Sequence, residues 1–504
     1  MIKVKIRTAI LLLMLSFCVS AKLESLINWQ EFNKASFNQA RTENKFIILD
    51  LVAVWCHWCH VMEKSTYQDE KVVTLLNKHF IATKADHDLR PDLAERYRDW
   101  GWPATIVLTS DGTEIVKRAG FINPQNMVRL LQAIIDDPSP ETTTLQLPKE
   151  LSKTALISAD IVKQLKKSHF DTYDNELGGL DVAMKFIDLD SVLWDLHLAE
   201  TGNQKAQKHV VKTLDAALNL IDPAFGGAYQ YSTHGDWSHP HYEKIMHTQY
   251  RYMRVYSQAC KKFKKQKYCK AVSKVADYLL DFLYDKDKGV FYTSQDADLK
   301  QGSKAHDYFK LNRKDRLALG LPRIDKHKYA AHNGLAIEGM VFVFQATNKK
   351  KHLIAAQKAA NWIVKNRSIK GGGFKHDKRD TAGPYLADTL YMGRAFLKLY
   401  EATEENKYLI QAQMAAKFID ENFKNPTGGL LSAVQNGTPA KPLPQLSQNI
   451  DASLFFMELL KQEPSAFIEK LNQHTMKLLA TRQIVTQNIT EAGVLLVNFA
   501  FNKK

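Results

Sequence analysis

The stretch Trp55-Cys56-His57-Trp58-Cys59-His60 admits two incompatible readings. From Cys56 to His60 it has the C-x-x-C-H spacing that attaches a c-type haem, while Cys56-x-x-Cys59 alone has the dithiol spacing of a thioredoxin-like oxidoreductase. The flanking residues choose between them. Residues 45–55, KFIILDLVAVW, form a continuous apolar run rich in β-branched residues that ends at Cys56, as a buried strand does. Residues 56–80 read as helical, FIATKAD as a strand, ATIVLTSDGTEIVKRAG as a hairpin turning at Asp111-Gly112, and PQNMVRLLQAIID as a closing amphipathic helix. Strand, Cys-x-x-Cys, helix, strand, helix, hairpin, helix is thioredoxin order.

The haem reading requires a distal axial ligand and leaves the buried strand without a role. A zinc site built from Cys56, His57, Cys59 and His60 fails on geometry, because its ligands crowd one helical turn and no second ligand pair lies nearby. The redox reading uses more residues and calls for neither metal nor cofactor. Cys56 at a helix N-terminus has its thiol pKa lowered from about 8.5, which makes it the nucleophile, and Cys59 one turn later resolves. His57 between them stabilises the thiolate and contacts substrate. Asp50, inward on the same strand, is placed to relay a proton to the inner thiol; the plainer reading is a buried acid satisfied by its neighbours. Trp102-Pro103 precedes the strand ATIVL, and a cis proline there lays a backbone edge beside the dithiol for an extended substrate, whereas a trans proline marks an ordinary turn.

The chain begins with Lys3, Lys5 and Arg7, continues with the apolar run AILLLMLSFCV and reaches Val19-Ser20-Ala21. This is the pattern of a secretory signal peptide cleaved after Ala21, with an apolar run too short for the roughly 20 residues of a membrane span. Phe17 stands before Cys18 where a lipoprotein peptidase needs a small residue. A periplasmic or secreted protein is expected, in an oxidising compartment and without a membrane span. The formal net charge of +15 is spread in short groups such as KKFKKQK and NKKKH, which reads as a solvated face and not as a nucleic-acid surface.

At 504 residues the chain exceeds one core. Three prolines and a threonine run in DDPSPETTTLQLPKE mark a linker, giving a signal peptide over 1–21, a thioredoxin-like domain over 22–136, a linker over 137–150 and a helical domain over 151–504. In the helical part DNELGGL, DPAFGGAY, DKDKGVFY, GGGF and NPTGGLL recur after amphipathic segments, each suited to a tight turn between helices. Helix pairs joined this way suggest an α/α toroid. Cys260 and Cys269 bracket CKKFKKQKYC at a helix-hairpin turn; they are expected to form a second disulfide beside Cys56 and Cys59, the alternative being two thiols packed as small apolar residues.

These residues resemble the spermatogenesis-associated protein 20-like family, a thioredoxin module fused to a six-hairpin (α/α)6 barrel. The likeness is carried by WCHWCHVMEKS, Asp69-Glu70, Leu76-Asn77, Asp86, Arg90-Pro91-Asp92 and Gly101-Trp102-Pro103. It continues more loosely through Lys185-Phe186, GGAYQYS, Trp237, HPHYEKI, Asp296-Ala297-Asp298, Asn333-Gly334-Leu335 and LADTLYMGRAFLKLYEAT. The resemblance implies a barrel similar to N-acylglucosamine 2-epimerases, with the named polar residues around its mouth. The chain departs from the family pattern at Lys326, His327, His332 and His247-Thr248-Gln249, which bears on barrel catalysis more than on barrel folding.

Trp102, Tyr231, Trp237, His241, Glu243, Asp296, Asp298 and Asn333 are therefore the substrate-binding candidates beside His57. Acid–base chemistry on a sugar would fall to His241 and Glu243, with aromatic faces at Tyr231 and Trp237; the plain alternative is a polar network tying helix ends. The expected function is an exported thiol-disulfide oxidoreductase acting on a redox partner protein or thiol substrate, its barrel binding a glycan or glycosylated substrate. A barrel that is itself a sugar epimerase or hydrolase, with a regulatory dithiol, and a binding protein without turnover are the alternatives.

Overall fold

The computed structural model describes residues 26–141, 148, 150–380, 382–487 and 491–502. The expected signal peptide and most of the proline- and threonine-rich linker lie outside the described residues.

The N-terminal domain runs β1 (Gln30–Glu31), α1 (Lys34–Glu43), β2 (Phe46–Val52), α2 (His57–Lys64), α3 (Glu70–His79), β3 (Phe80–Asp86), α4 (Pro91–Arg96), β4 (Ala104–Leu108), β5 (Glu114–Ala119) and α5 (Pro124–Asp136). Its sheet has the order β1-β3-β2-β4-β5. The β2–β3 pair is parallel, and β4 lies antiparallel to both β2 and β5. The central strand β2 is buried on both faces, which explains why its sequence is apolar apart from Asp50. Ile48 joins Val72, Leu76 and Leu131 on one side, and Ile47, Leu49 and Leu51 join Phe37 and Tyr97 on the other. Asp50 is the polar residue in that strand and is 1% exposed.

Beyond α5 the chain is helical. The inner helices Leu189–Glu200, Met246–Phe263, Ala330–Thr347, Leu386–Thr403, Leu446–Gln462 and Ala492–Asn502 contact one another in sequence order and close on themselves. Each packs against an outer partner: Gln204–Ala217, Gln266–Phe282, Lys350–Arg367, Asn406–Phe423, Ala466–Leu479 and, closing the ring, Ala159–Asp171. The inner helices are apolar around most of their circumference, Ala330–Thr347 most evidently, as helices buried on every side must be. Gly334 permits a close approach of two inner helices: a Cβ there would stand 2.5 Å from the backbone of Tyr391 on the adjacent one. The glycine pairs flagged by the sequence occupy the turns; Gly226 and Gly227 both have φ of 75°, a region that favours glycine. At the turn between Met246–Phe263 and Gln266–Phe282, Cys260 and Cys269 are disulfide-bonded with Cα atoms 4.9 Å apart.

Candidate redox site

Cys56 ends the loop from β2 and starts α2. Its backbone is extended and its Sγ accepts the N–H of Cys59 at 3.2 Å, so the sulfur itself caps the helix. That position carries the partial positive charge of the helix N-terminus, which favours a thiolate over a thiol. Cys59 is disulfide-bonded to Cys56, with Cα atoms 5.3 Å apart. The sulfurs pack among Ala53, Trp55, Trp102 and Ile245, and the two cysteines are only 4% and 6% exposed.

Asp50 on β2 stands opposite Thr105 of β4 and Lys84 of β3. Burial pushes its carboxyl up to about 6, against the pull of the Lys84 ammonium, whose Nζ lies 3.7 Å away. Lys84 also pairs with Glu63 of α2 and covers the Trp29 ring at 4.5 Å. Trp102-Pro103 is a cis peptide. Pro103 is buried, and the half-buried Trp102 ring meets His87 edge-on with centroids 4.4 Å apart.

The barrel completes this site. His57 Nδ1 lies 2.8 and 2.9 Å from the two carboxylate oxygens of Asp298, and His60 Nε2 lies 3.2 Å from Asp296. Lys64 Nζ donates to the carbonyl of Gln301 at 2.6 Å. Successive turns of one face of α2 are thus held by residues 296–301 of the barrel. Ile245, which precedes an inner helix, touches the dithiol cluster. A second junction follows β3. Trp55 Nε1 donates to Asp88 at 2.9 Å, the carbonyl of Asp88 meets His376 Nε2 at 2.6 Å, and His376 Nδ1 meets Asp388 at 2.8 Å. His332 stands 3.6 Å from Asp88; burial pushes it down to about 4. Ser447, at the start of another inner helix, donates to Glu95, and Arg96 Nη1 donates to the carbonyl of Lys441 at 3.0 Å. Residues 86–96 of the thioredoxin-like domain therefore lie across the end of the barrel where inner helices begin.

The barrel candidates divide. Tyr231 stacks on His241 with centroids 4.3 Å apart, and the buried Glu243 puts Oε2 3.8 Å from His241 Nδ1, with no hydrogen-bond partner among the described residues. Glu243 and Asp296 each lie one step beyond the paired residues Lys244 and Gln295, which brings this group to the edge of the dithiol site. Trp237 is 4% exposed, donates Nε1 to the carbonyl of Leu177 at 3.0 Å and packs on Gly179. It pins the 174–180 turn, beside a cavity of about 1250 Å³ that Lys205, Lys208 and Asp236 also line. Asn333 is fully engaged with backbone: it accepts from Phe291 N–H at 2.9 Å and donates to the carbonyls of Phe291 and Tyr329. That is the bonding of a clamp between a strand and a helix start. Asp296 and Asp298, named from sequence among the substrate-binding candidates, hold the histidines of the CHWCH stretch. The residues that sequence reasoning missed are Lys84, Asp88 and His376, together with the partnership of Asp298 with His57 across 241 positions. The only signal in the sequence was His332, noted as a departure without a role.

Fold and site define a class: a thioredoxin-like CxxC domain docked on a six-hairpin, glycosidase-like helical barrel. Residues 11–137 match the family model Thioredox_DsbH, described as a protein of unknown function, DUF255, and residues 304–441 match Glycosyl Hydrolase Family 88. An uncharacterized protein of Caenorhabditis elegans is 25% identical over 81% of this chain and 73% of its own length. Human spermatogenesis-associated protein 20 is 26% identical over 54% of this chain and 39% of its own length, so the match spans well under half of the human protein. The chain is a homologue of the spermatogenesis-associated protein 20 proteins, as its motifs had implied. The barrel has the fold of cellobiose 2-epimerase from Bacillus thermoamylovorans, with a TM-score of 0.50 at 10% identity, covering 63% of this chain and 85% of that one.

Proposed function

We propose that the protein is an exported thiol-disulfide oxidoreductase in which Cys56 is the nucleophile and Cys59 the resolving thiol. The observation that carries this reading is the capping geometry: Cys56 Sγ at the N-terminus of α2, accepting the Cys59 N–H, with buried Asp50 on the neighbouring strand. The N-terminal apolar run and a second cysteine pair at 260 and 269 support an oxidising, extracytoplasmic setting. Reduction of insulin by dithiothreitol should be accelerated by the protein, and Cys56→Ser should abolish the acceleration. Equal turbidity curves for the variant and the wild type would overturn the assignment.

For the barrel, we read Tyr231, His241 and Glu243 as the candidate contact for a glycan or glycosylated substrate. An aromatic face beside a buried carboxylate with a free oxygen suits sugar C–H and hydroxyl groups. Glycan-array binding should be lost in both Tyr231→Ala and Glu243→Gln. Binding that survives both changes would leave these residues as a structural network.

A further inference from the structure

We propose that the redox site is a triad shared between the two domains, Cys56-His57-Asp298, in which the barrel carboxylate is a positioning residue for proton transfer by His57. This rests on the oxidoreductase reading and adds to it a base and the residue that orients the base. Asp298 is 2% exposed, and its Oδ2 also accepts the N–H of Gly302 at 2.7 Å. An ionised carboxylate only accepts, so both of its contacts with His57 Nδ1 require the proton on that nitrogen. In the neutral ring the lone pair then belongs to Nε2, the nitrogen left for chemistry. His57 follows Cys56 directly in the first turn of α2. Asp298 is itself fixed through Asp296, whose Oδ1 accepts the Asp298 N–H at 2.9 Å and whose other oxygen holds His60. A rigid strap thus orients the imidazole, as a metal or hydrolytic site orients its histidine through a carboxylate.

The step balances with a dithiol as reductant. His57 Nε2 takes the proton of the entering thiol, the resulting thiolate bonds to Cys56 Sγ, and the Cys56–Cys59 bond breaks with its electron pair leaving on Cys59. The partner's second thiol loses its proton to the Cys59 thiolate, attacks the partner sulfur of the mixed disulfide and releases Cys56 as thiolate. That thiolate takes back the proton held by His57. Two electrons and two protons have passed from the dithiol to the protein, and the partner leaves as a disulfide. In the reverse direction the same imidazole serves as acid.

A base matters only while the entering thiol is protonated, and free thiols ionise near pH 8.5. The experiment follows reduction of the oxidised full-length protein by dithiothreitol, monitored by tryptophan fluorescence across pH, for wild type, Asp298→Asn and Asp298→Glu. The expected loss in Asp298→Asn is about tenfold or more near pH 6.5, shrinking to about twofold or less near pH 9.5. Asp298→Glu should keep most of the wild-type rate at low pH, and it guards against a variant that merely fails to fold. A loss of the same size at every pH, or no loss, would overturn the proposal. A wild-type disulfide that dithiothreitol does not reduce would instead overturn the underlying oxidoreductase reading.

Discussion

Asp50 shows how one buried group makes stability depend on pH. Its carboxyl is raised from 3.8 to about 6 by burial, so between those values the folded protein holds a proton that the unfolded chain has lost. Stability therefore falls as pH rises through that window, and the full penalty, about 3 kcal/mol at 1.36 kcal/mol per unit, is present above it. Asp50→Asn should raise the urea-unfolding free energy by about 2–3 kcal/mol near pH 7.5 and change it little near pH 3.5. An equal gain at both pH values would mean that packing, not ionisation, is responsible. The carboxyl's place in β2 was legible in the sequence because the strand's apolar run is interrupted there. Its lysine partner was not, since pairing of β2 with β3 decides which of many lysines stands opposite.

At the level of elements, the thioredoxin order could be read from the sequence because each strand and helix has its own period. The helical hairpins were legible from glycine turns and amphipathic outer helices. The register between the domains was not, because docking of α2 on residues 296–301 depends on side chains more than two hundred positions apart. For the same reason Asp296 and Asp298, read within their own segment, gave no sign of their partners His60 and His57. The Cys260–Cys269 bridge belongs to this scale, for it joins the end of an inner helix to its outer partner. Closing so short a loop stabilises by about 2–3 kcal/mol in the chain-entropy model. It also holds Lys261, Lys262, Lys264, Lys265 and Lys267 together. The double variant Cys260→Ser/Cys269→Ser should lose about that much in chemical denaturation, without loss of insulin-reducing activity. Unchanged stability would count against the bridge.

Across the whole molecule, His376 is a barrel residue with both ring nitrogens spent, one on the Asp88 carbonyl of the thioredoxin-like domain and one on Asp388. It is 1% exposed. Burial opposes its charged form, and the Asp388 carboxylate outweighs burial, so its pKa stands above the ordinary value. His376→Ala would leave Asp388 buried with one partner fewer and break the tie to Asp88. The expected cost is about 2–4 kcal/mol. Hydrogen exchange should rise at residues 86–96 as well as at the start of Leu386–Thr403; protection lost on the barrel side alone would show that the domains do not depend on this tie.

The placement of residues 86–96 over the inner-helix ends makes the thioredoxin-like domain a tethered competitor of anything that would bind there. A tether of this kind holds its cargo at an effective concentration on the order of millimolar. A free molecule seeking the barrel axis from that end must displace a partner that never diffuses away. Its apparent dissociation constant is then the intrinsic one divided by the fraction of time the cover is open, and its association rate levels off at the opening rate however much of it is added.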